Sequence, residues 1–429
     1  MSVRQRKGKQ KKDKAATATA TPSLKGDDDN GKKKKLSKAS PPTGPKRKKA
    51  SGKQVLLFLF GMMSITGAIL YHFYSMYGPA ILLGNGWKDY DIEPYQWRKY
   101  LDTHDKTILL IGGPHRGGTT VMWNAIASHP DAVGFGSTFE TGADYSEGIL
   151  FQSVYPRFGV GLEFNKNFGS GMKKAKGEDN VDTNSLGGLG QYALLPESHV
   201  HMTKTNHHGK LDDATSLSKL MNRFAPFWDS NEKYGGEGGL KKAKVWIEKS
   251  PQNIVLSSFL EGLYNMPIEE DGTVGVNKID PKKKQVTKFI FMTRHPIANI
   301  LATDRFIQES MGGFRDFEIM VRNYIQMHKY ALEDAKELQS PVMWVKMEDF
   351  TSNPRKTLED IFSFLELSND ENTIKQVLES AGKIKSNTND KYFAKWCKKE
   401  IETQNDVITK YIDEITSLGL GYDLTNICS

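Results

Sequence analysis

The chain has 429 residues, 38% of them hydrophobic and 26% charged, with a formal net charge of +8. That is too long for one small domain and suits one large α/β domain with extensions. Residues 1–53 hold 18 Lys or Arg against 4 Asp, a net +14 that leaves −6 on the rest; a basic tail on a mildly acidic body argues against a nucleic-acid-binding fold, whose basic footprint lies on the folded domain.

Residues 1–53 are Lys, Ala, Thr, Ser, Gly and Pro with almost no large apolar residue. Such a segment cannot bury enough surface to offset its ordering entropy, so disorder is expected. Val55–Tyr74, VLLFLFGMMSITGAILYHFY, is uncharged with His72 neutral and is long enough to span a bilayer. It starts too far from Met1 and lacks a small-residue cleavage site, unlike a removable signal peptide. With the positive charge on its N-terminal side, it reads as a type II signal anchor over residues 54–77, with the tail cytoplasmic. Residues 78–105 read as a stem and lead-in, with Trp87, Tyr90, Tyr95, Trp97 and Tyr100 as packing aromatics. Residues 106–429 are then the folded body.

Lys106–Pro130, KTILLIGGPHRGGTTVMWNAIASHP, organises that body. Thr107–Ile111 reads as a buried strand of a parallel sheet. Val121–Ser128 resumes at helical spacing and stops at His129-Pro130. Between them lies a glycine-rich turn, whose backbone N–H groups can close around an anion at the positive end of the helix. In the nucleotide-triphosphate loop G-x-x-x-x-G-K-[ST], a Lys grips the phosphates and a hydroxyl holds Mg²⁺. Here Gly113 and Gly118 keep the glycine spacing, but Thr119 stands at the Lys position and the cation is Arg116, inside the loop. The bland alternative is a glycine turn with no ligand.

Asp131–Gly136 reads as a short strand, and residues 166–190 and 265–285 as surface insertions. Lys244–Glu248, Lys288–Thr293 and Pro341–Lys346 read as further buried strands. Each is followed by a turn and a helix: Asn253–Tyr264, a helix through about Phe306, and Lys356–Leu365. Strand, loop and helix in repetition predict a doubly wound parallel sheet with helices on both faces, with ligands at the carboxyl ends of its strands. Asp390–Tyr422 reads as helices. Cys397 and Cys428 could form one disulfide in a luminal body; the other reading is two unpaired thiols. No metal-ligand spacing involves them.

Four blocks resemble PAPS-dependent sulfotransferases, which use 3′-phosphoadenosine 5′-phosphosulfate (PAPS). They are IGGPHRGGTTVMWNAIASHPD, the Lys-ended KVWIEK, FIFMTRHPIANILATDRF and WVKMEDFTSNPRKTLEDIFSFLEL, in the family's order. The first is similar to the loop of membrane-anchored, Golgi-type enzymes and closest to tyrosylprotein sulfotransferases. The resemblance implies a P-loop-type sheet, PAPS as co-substrate without a metal, and an acceptor glycan, protein or small molecule. It also implies a luminal domain on a Golgi or other secretory membrane. Pro114, His115, Arg116, Gly117, Gly118, Thr119 and Thr120 would hold the 5′-phosphosulfate. Arg294 would bind the 3′-phosphate, with Thr303 one position past Ala302, where the family's Ser stands. Lys249 and Arg116 would neutralise the bridging oxygen as the sulfuryl group departs; the rival reading of Lys249 is a surface salt bridge with Glu248. The general base is expected at Glu140, then Glu147, with Asp144 between them; the cluster His199, His201, His207 and His208 is the outside possibility. Glu348-Asp349-Phe350 reads as a recognition signal whose spacing mostly means core. The competing classes are a nucleotide-dependent kinase or ATPase with an atypical loop, and a catalytically silent membrane-anchored scaffold.

Overall fold

The computed structural model describes residues 90–135, 154, 201–207, 209–229, 238–275, 284–310, 316–382, 384–398, 401–424 and 426–428. The basic tail, the apolar segment Val55–Tyr74, Trp87, the 166–190 insertion, Glu140, Asp144, Glu147, His199 and His208 lie outside those residues. Among the described residues, no helix is long and apolar enough to cross a membrane.

Among the described residues five strands form one parallel sheet: β1 (Thr107–Gly112), β2 (Ala132–Gly134), β3 (Val245–Lys249), β4 (Thr287–Thr293) and β5 (Val342–Lys346). Their order is β2-β3-β1-β4-β5, with every neighbouring pair parallel. After β1 the chain builds one side of the sheet, then crosses β1 to build the other. Strand order therefore reverses beside β1, and the crevice expected of such a sheet opens at its carboxyl end.

The apolar runs divide between two cores because successive strand residues face opposite ways. Ile108 and Leu110 point into one core with Trp246, Phe289 and Phe291. That face is covered by α1 (Pro94–Thr103), α3 (Thr215–Asp229), α5 (Asn253–Asn265) and α7 (Phe317–Glu337). Leu109 and Ile111 point into the other with Ile247, Ile290 and Met292. There the cover is α2 (Thr119–Ala127), α8 (Met347–Ser352), α9 (Pro354–Phe364) and α10 (Glu371–Ala381). Every residue of β1, β3 and β4 is buried, which is why those strands read as continuous apolar runs rather than alternating ones. The short α4 (Gly239–Lys242) leads into β3.

The lead-in aromatics pack as their composition suggests. Trp97 is buried on α1 and donates its indole N–H to Asn222 over 2.7 Å, while Tyr90 donates to Asp229 over 2.7 Å. The 265–285 insertion is tied by a bridge between Ile268 and Val274 around Gly272.

A third core joins α6 (Pro296–Ser310) and α7 to α11 (Asp390–Cys397), α12 (Glu402–Lys410) and α13 (Ile412–Ser417) through Ile297, Leu301, Tyr324, Tyr392, Ile408 and Ile415. Cys397 and Cys428 are joined in a disulfide, 31 residues apart in sequence. Closing a loop of that size contributes about 3–4 kcal/mol by restricting the unfolded chain. The two cysteines are therefore paired, and the free-thiol reading falls.

Candidate active site

The loop Gly113–Gly118 leaves the carboxyl end of the central strand and runs into α2. Its glycines are demanded by space and by backbone angle. A Cβ on Gly113 would lie 2.7 Å from the Met292 carbonyl oxygen of β4. Gly118 has φ +96°, where side chains are strained, and a Cβ there would lie 2.2 Å from Met347 Sδ. Arg116 also has a positive φ, of 62°, which costs a non-glycine residue on the order of 1 kcal/mol and is held only where the surroundings enforce it.

The enforcing contacts are visible. Gly117 N–H donates to the Pro114 carbonyl at 2.8 Å, closing a tight turn. Asn299 Nδ2 and Thr303 Oγ1, one turn apart on α6, both donate to the His115 carbonyl, at 2.9 and 3.1 Å. Arg294, just past the end of β4, donates from a terminal nitrogen to the Arg116 carbonyl at 2.8 Å. In a trans peptide N–H and C=O point opposite ways, so pulling the His115 carbonyl toward α6 turns the Arg116 N–H away from it. Among the described residues no side chain caps α2, and the N–H groups of its first turn have no intrahelical acceptor. The result is a set of amides without helical acceptors at the positive end of a helix, suited to an anion.

Two arginines flank these amides. Arg116 is exposed, its guanidinium 5.2 Å from the Phe306 ring centre. Arg294 is buried, and that burial pulls its pKa below the ordinary arginine value, though a guanidinium is not deprotonated in proteins. It donates three hydrogen bonds, to Asn389 Oδ1 (Nε, 2.9 Å), the Arg116 carbonyl and the Thr388 carbonyl (3.3 Å), and lies 5.5 Å from the Tyr392 ring centre. A guanidinium has five N–H groups, so two remain, one on each terminal nitrogen. Neither arginine forms an ion pair with a carboxylate among the described residues. A buried cation fixed by neutral acceptors, with spare donors, is a receptor for an anion.

Lys249 ends β3 in register with Ile111 and is fully buried. That overturns the surface reading of Lys249; Glu248 is itself buried and accepts from Asn253 Nδ2 at 2.5 Å. The segment after Lys249 runs under the loop. Ser250 N–H donates to the Ile111 carbonyl at 3.1 Å, Gly113 N–H to the Pro251 carbonyl at 3.2 Å, and Gln252 Nε2 meets His115 Nε2 at 3.2 Å.

The remaining expectations divide. Thr303 reaches the loop through the His115 backbone, and Thr119 is buried while Thr120 is half-buried at the start of α2. His201 and His207 hold other places: His201 Nε2 lies 2.8 Å from buried Asp334 and stacks on Tyr330, and His207 Nδ1 accepts from the Leu211 N–H at 3.3 Å. Among the described residues no cluster of His, Cys, Asp and Glu could hold a metal ion.

Sequence reasoning missed Asn299, Glu348, Asn389 and Tyr422. Asn299 had a signal, since it lies one helical turn before Thr303 in the same block. Glu348 is a correction. Far from being mere core spacing, its carboxylate accepts from Asn389 Nδ2 (2.5 Å), the His295 N–H (2.9 Å) and the Tyr422 hydroxyl (3.1 Å).

No family model matches the chain, and no curated protein does. Solved structures to which it is similar include the sulfotransferase domain of the Synechococcus PCC 7002 olefin synthase, at 15% identity, TM-score 0.33, covering 67% of this chain and 86% of that one. A sulfotransferase from Alicyclobacillus acidocaldarius aligns at 13% identity, TM-score 0.33, over 67% of this chain and 90% of that one. One from Mycobacterium tuberculosis H37Rv aligns at 14% identity, TM-score 0.34, over 66% and 73%. Likeness at that level assigns no activity, so function has to be argued from the site itself.

Proposed function

We propose that the chain transfers a sulfuryl group from PAPS to a hydroxyl or amine of a glycan, protein or small-molecule acceptor. The observation that carries this reading is Arg294 donating to the Arg116 backbone carbonyl at 2.8 Å beside uncapped helix amides, with no lysine in the loop. A triphosphate site needs the missing Lys and a metal-holding carboxylate; of the two strands beside β1, β4 leads into Arg294 and β3 ends in Lys249, the buried Glu248 before it accepting from Asn253.

In the reaction the acceptor oxygen or nitrogen attacks sulfur in line. The bond from sulfur to the bridging phosphate oxygen breaks, and the acceptor proton passes to a base. The loop amides and Arg116 hold the 5′-phosphate. Lys249 and Arg116 stabilise the charge that develops on the departing oxygen, which is where such a transfer gains most of its rate. Arg294 holds the 3′-phosphate. Glu140, with Glu147 second, is proposed as the base.

We extend the proposal to placement. Residues 1–53 form a cytoplasmic tail and 54–77 a single-pass type II anchor; the body is luminal on a Golgi or other secretory membrane. The Cys397–Cys428 disulfide supports an oxidising compartment.

Calorimetric titration of the chain in detergent with PAPS, and separately with ATP and Mg²⁺, tests the reading. Binding of PAPS without metal, and no response to ATP, is expected. Mg²⁺-dependent ATP binding overturns it in favour of a kinase or ATPase, and silence toward both in favour of a scaffold.

A further inference from the structure

Arg294 is only as good a receptor as its orientation is fixed, and what fixes it comes from chain segments that the proposed reaction does not otherwise use. Its Nε donates to Asn389 Oδ1. An asparagine amide can present either its oxygen or its NH₂ to a neighbour. Presenting the NH₂ would set donor against donor and push the guanidinium off station. The other end of the amide decides: Asn389 Nδ2 donates to Glu348 Oε1 over 2.5 Å. A carboxylate only accepts, so Asn389 must turn its NH₂ toward Glu348 and its oxygen toward Arg294.

Glu348 is fixed in turn. The His295 backbone N–H, adjacent to Arg294 in sequence, donates to the same Oε1 at 2.9 Å, and the Tyr422 hydroxyl donates to Oε2 at 3.1 Å. Tyr422 is held by the neighbouring backbone: Lys346 Nζ donates to the Gly421 carbonyl at 2.8 Å and lies 4.8 Å from the Tyr422 ring centre. From the other side, Tyr324 OH donates to the Arg294 carbonyl at 3.0 Å. Asn389 is buried, so water does not compete freely for the amide.

We infer that Glu348 and Asn389, braced by Tyr422, are positioning residues that aim Arg294 at the 3′-phosphate of the nucleotide. They thereby set the preference for a 3′-phosphorylated donor. The inference rests on the reading of Arg294 given above.

The charge of Glu348 makes the test sharp, because two roles predict opposite signs. A carboxylate near an anion site repels the anion, so if Glu348 acts only as a charge, Glu348→Gln tightens nucleotide binding. If it fixes the Asn389 amide, Glu348→Gln weakens binding, since glutamine can offer a donor where only an acceptor serves.

The experiment is calorimetric titration of the full chain in detergent with adenosine 3′,5′-bisphosphate and with adenosine 5′-monophosphate, which lacks the 3′-phosphate. In the unaltered chain the bisphosphate is expected to bind at least tenfold more tightly. Glu348→Gln and Asn389→Leu should each weaken the bisphosphate about tenfold, and Tyr422→Phe two- to threefold, with monophosphate affinity unmoved in all three. Tighter bisphosphate binding by Glu348→Gln, or equal losses for both nucleotides, overturns the positioning role. Equal affinity of the unaltered chain for the two nucleotides overturns the assignment of Arg294 itself, and is distinguished because it needs no variant.

Discussion

The two ends of the sheet treat most of their cations differently, with Lys106 at the amino end as the exception: it donates to the Lys241 and Ala243 carbonyls at 2.8 and 2.7 Å. At the amino end, Lys284 and Lys244 both reach Asp105, and Lys288 meets Glu366 at 2.7 Å. Those contacts hold the Asp105 and Glu366 carboxyls below their ordinary pKa values, chiefly through the hydrogen bonds from Lys284 and Lys288. At the carboxyl end, Arg294 is bonded to an amide oxygen and two backbone carbonyls, and Arg116 lies against a phenyl ring. Charge matched by charge closes a surface; charge held by neutral groups remains available. The end proposed to bind is the one whose arginines have no carboxylate ion-pair partner among the described residues.

Breaking the carboxyl end should therefore have the larger consequence. Charge-assisted hydrogen bonds contribute about 1.5–3 kcal/mol each. Arg116→Ala and Arg294→Ala are each expected to weaken PAPS tenfold or more, and the double variant by about a thousandfold in titration. Retained affinity in both single variants would sink the site.

Next in size is an effect of acid. His328 is fully buried under Tyr324, its Nδ1 2.7 Å from the Tyr324 carbonyl, and burial lowers its pKa to about 4. Between about 6.5 and 4 the unfolded chain binds the proton that the folded one refuses. The stabilisation is thus complete above the unfolded value and lost as pH falls, by at most roughly 3 kcal/mol. Denaturant melts of His328→Phe should show a shallower decline over that window than the unaltered chain; identical slopes would mean the imidazole is not what titrates.

The smallest change is expected at the amino end. Asp105→Asn removes two exposed ion pairs, worth about 0–1 kcal/mol and screened by salt. Nucleotide affinity should not move. A measurable loss of PAPS binding would break the contrast between the two ends.

What the sequence disclosed follows this division. β1, the loop and the cations at strand ends were legible because backbone-driven binding needs glycines, a strand and a helix in fixed local order. The buried strands were legible as continuous apolar runs. Lys249 was legible as a residue but not as a buried one, since burial depends on what covers a strand end. Asn389 and Tyr422 carry no local signal: one precedes α11, the other follows α13, and only tertiary packing brings them to Glu348. Glu348 lay inside a block whose apolar periodicity masks a polar role. The helices α3, α7 and α10 were not read, because ordinary amphipathic spacing with no adjoining site motif gave no reason to single them out.

The cradle also has a history during folding. Its loop follows the first strand, Arg294 follows the fourth, and Glu348 the fifth; Asn389 and Tyr422 come after the whole sheet. Parallel pairings between distant segments form slowly, and domains emerge from synthesis amino end first. A nascent chain would thus display the glycine loop and both arginines well before the residues that aim one of them. Affinity for the donor should arrive as a late event, which would make nucleotide capture a stringent reporter of completed folding.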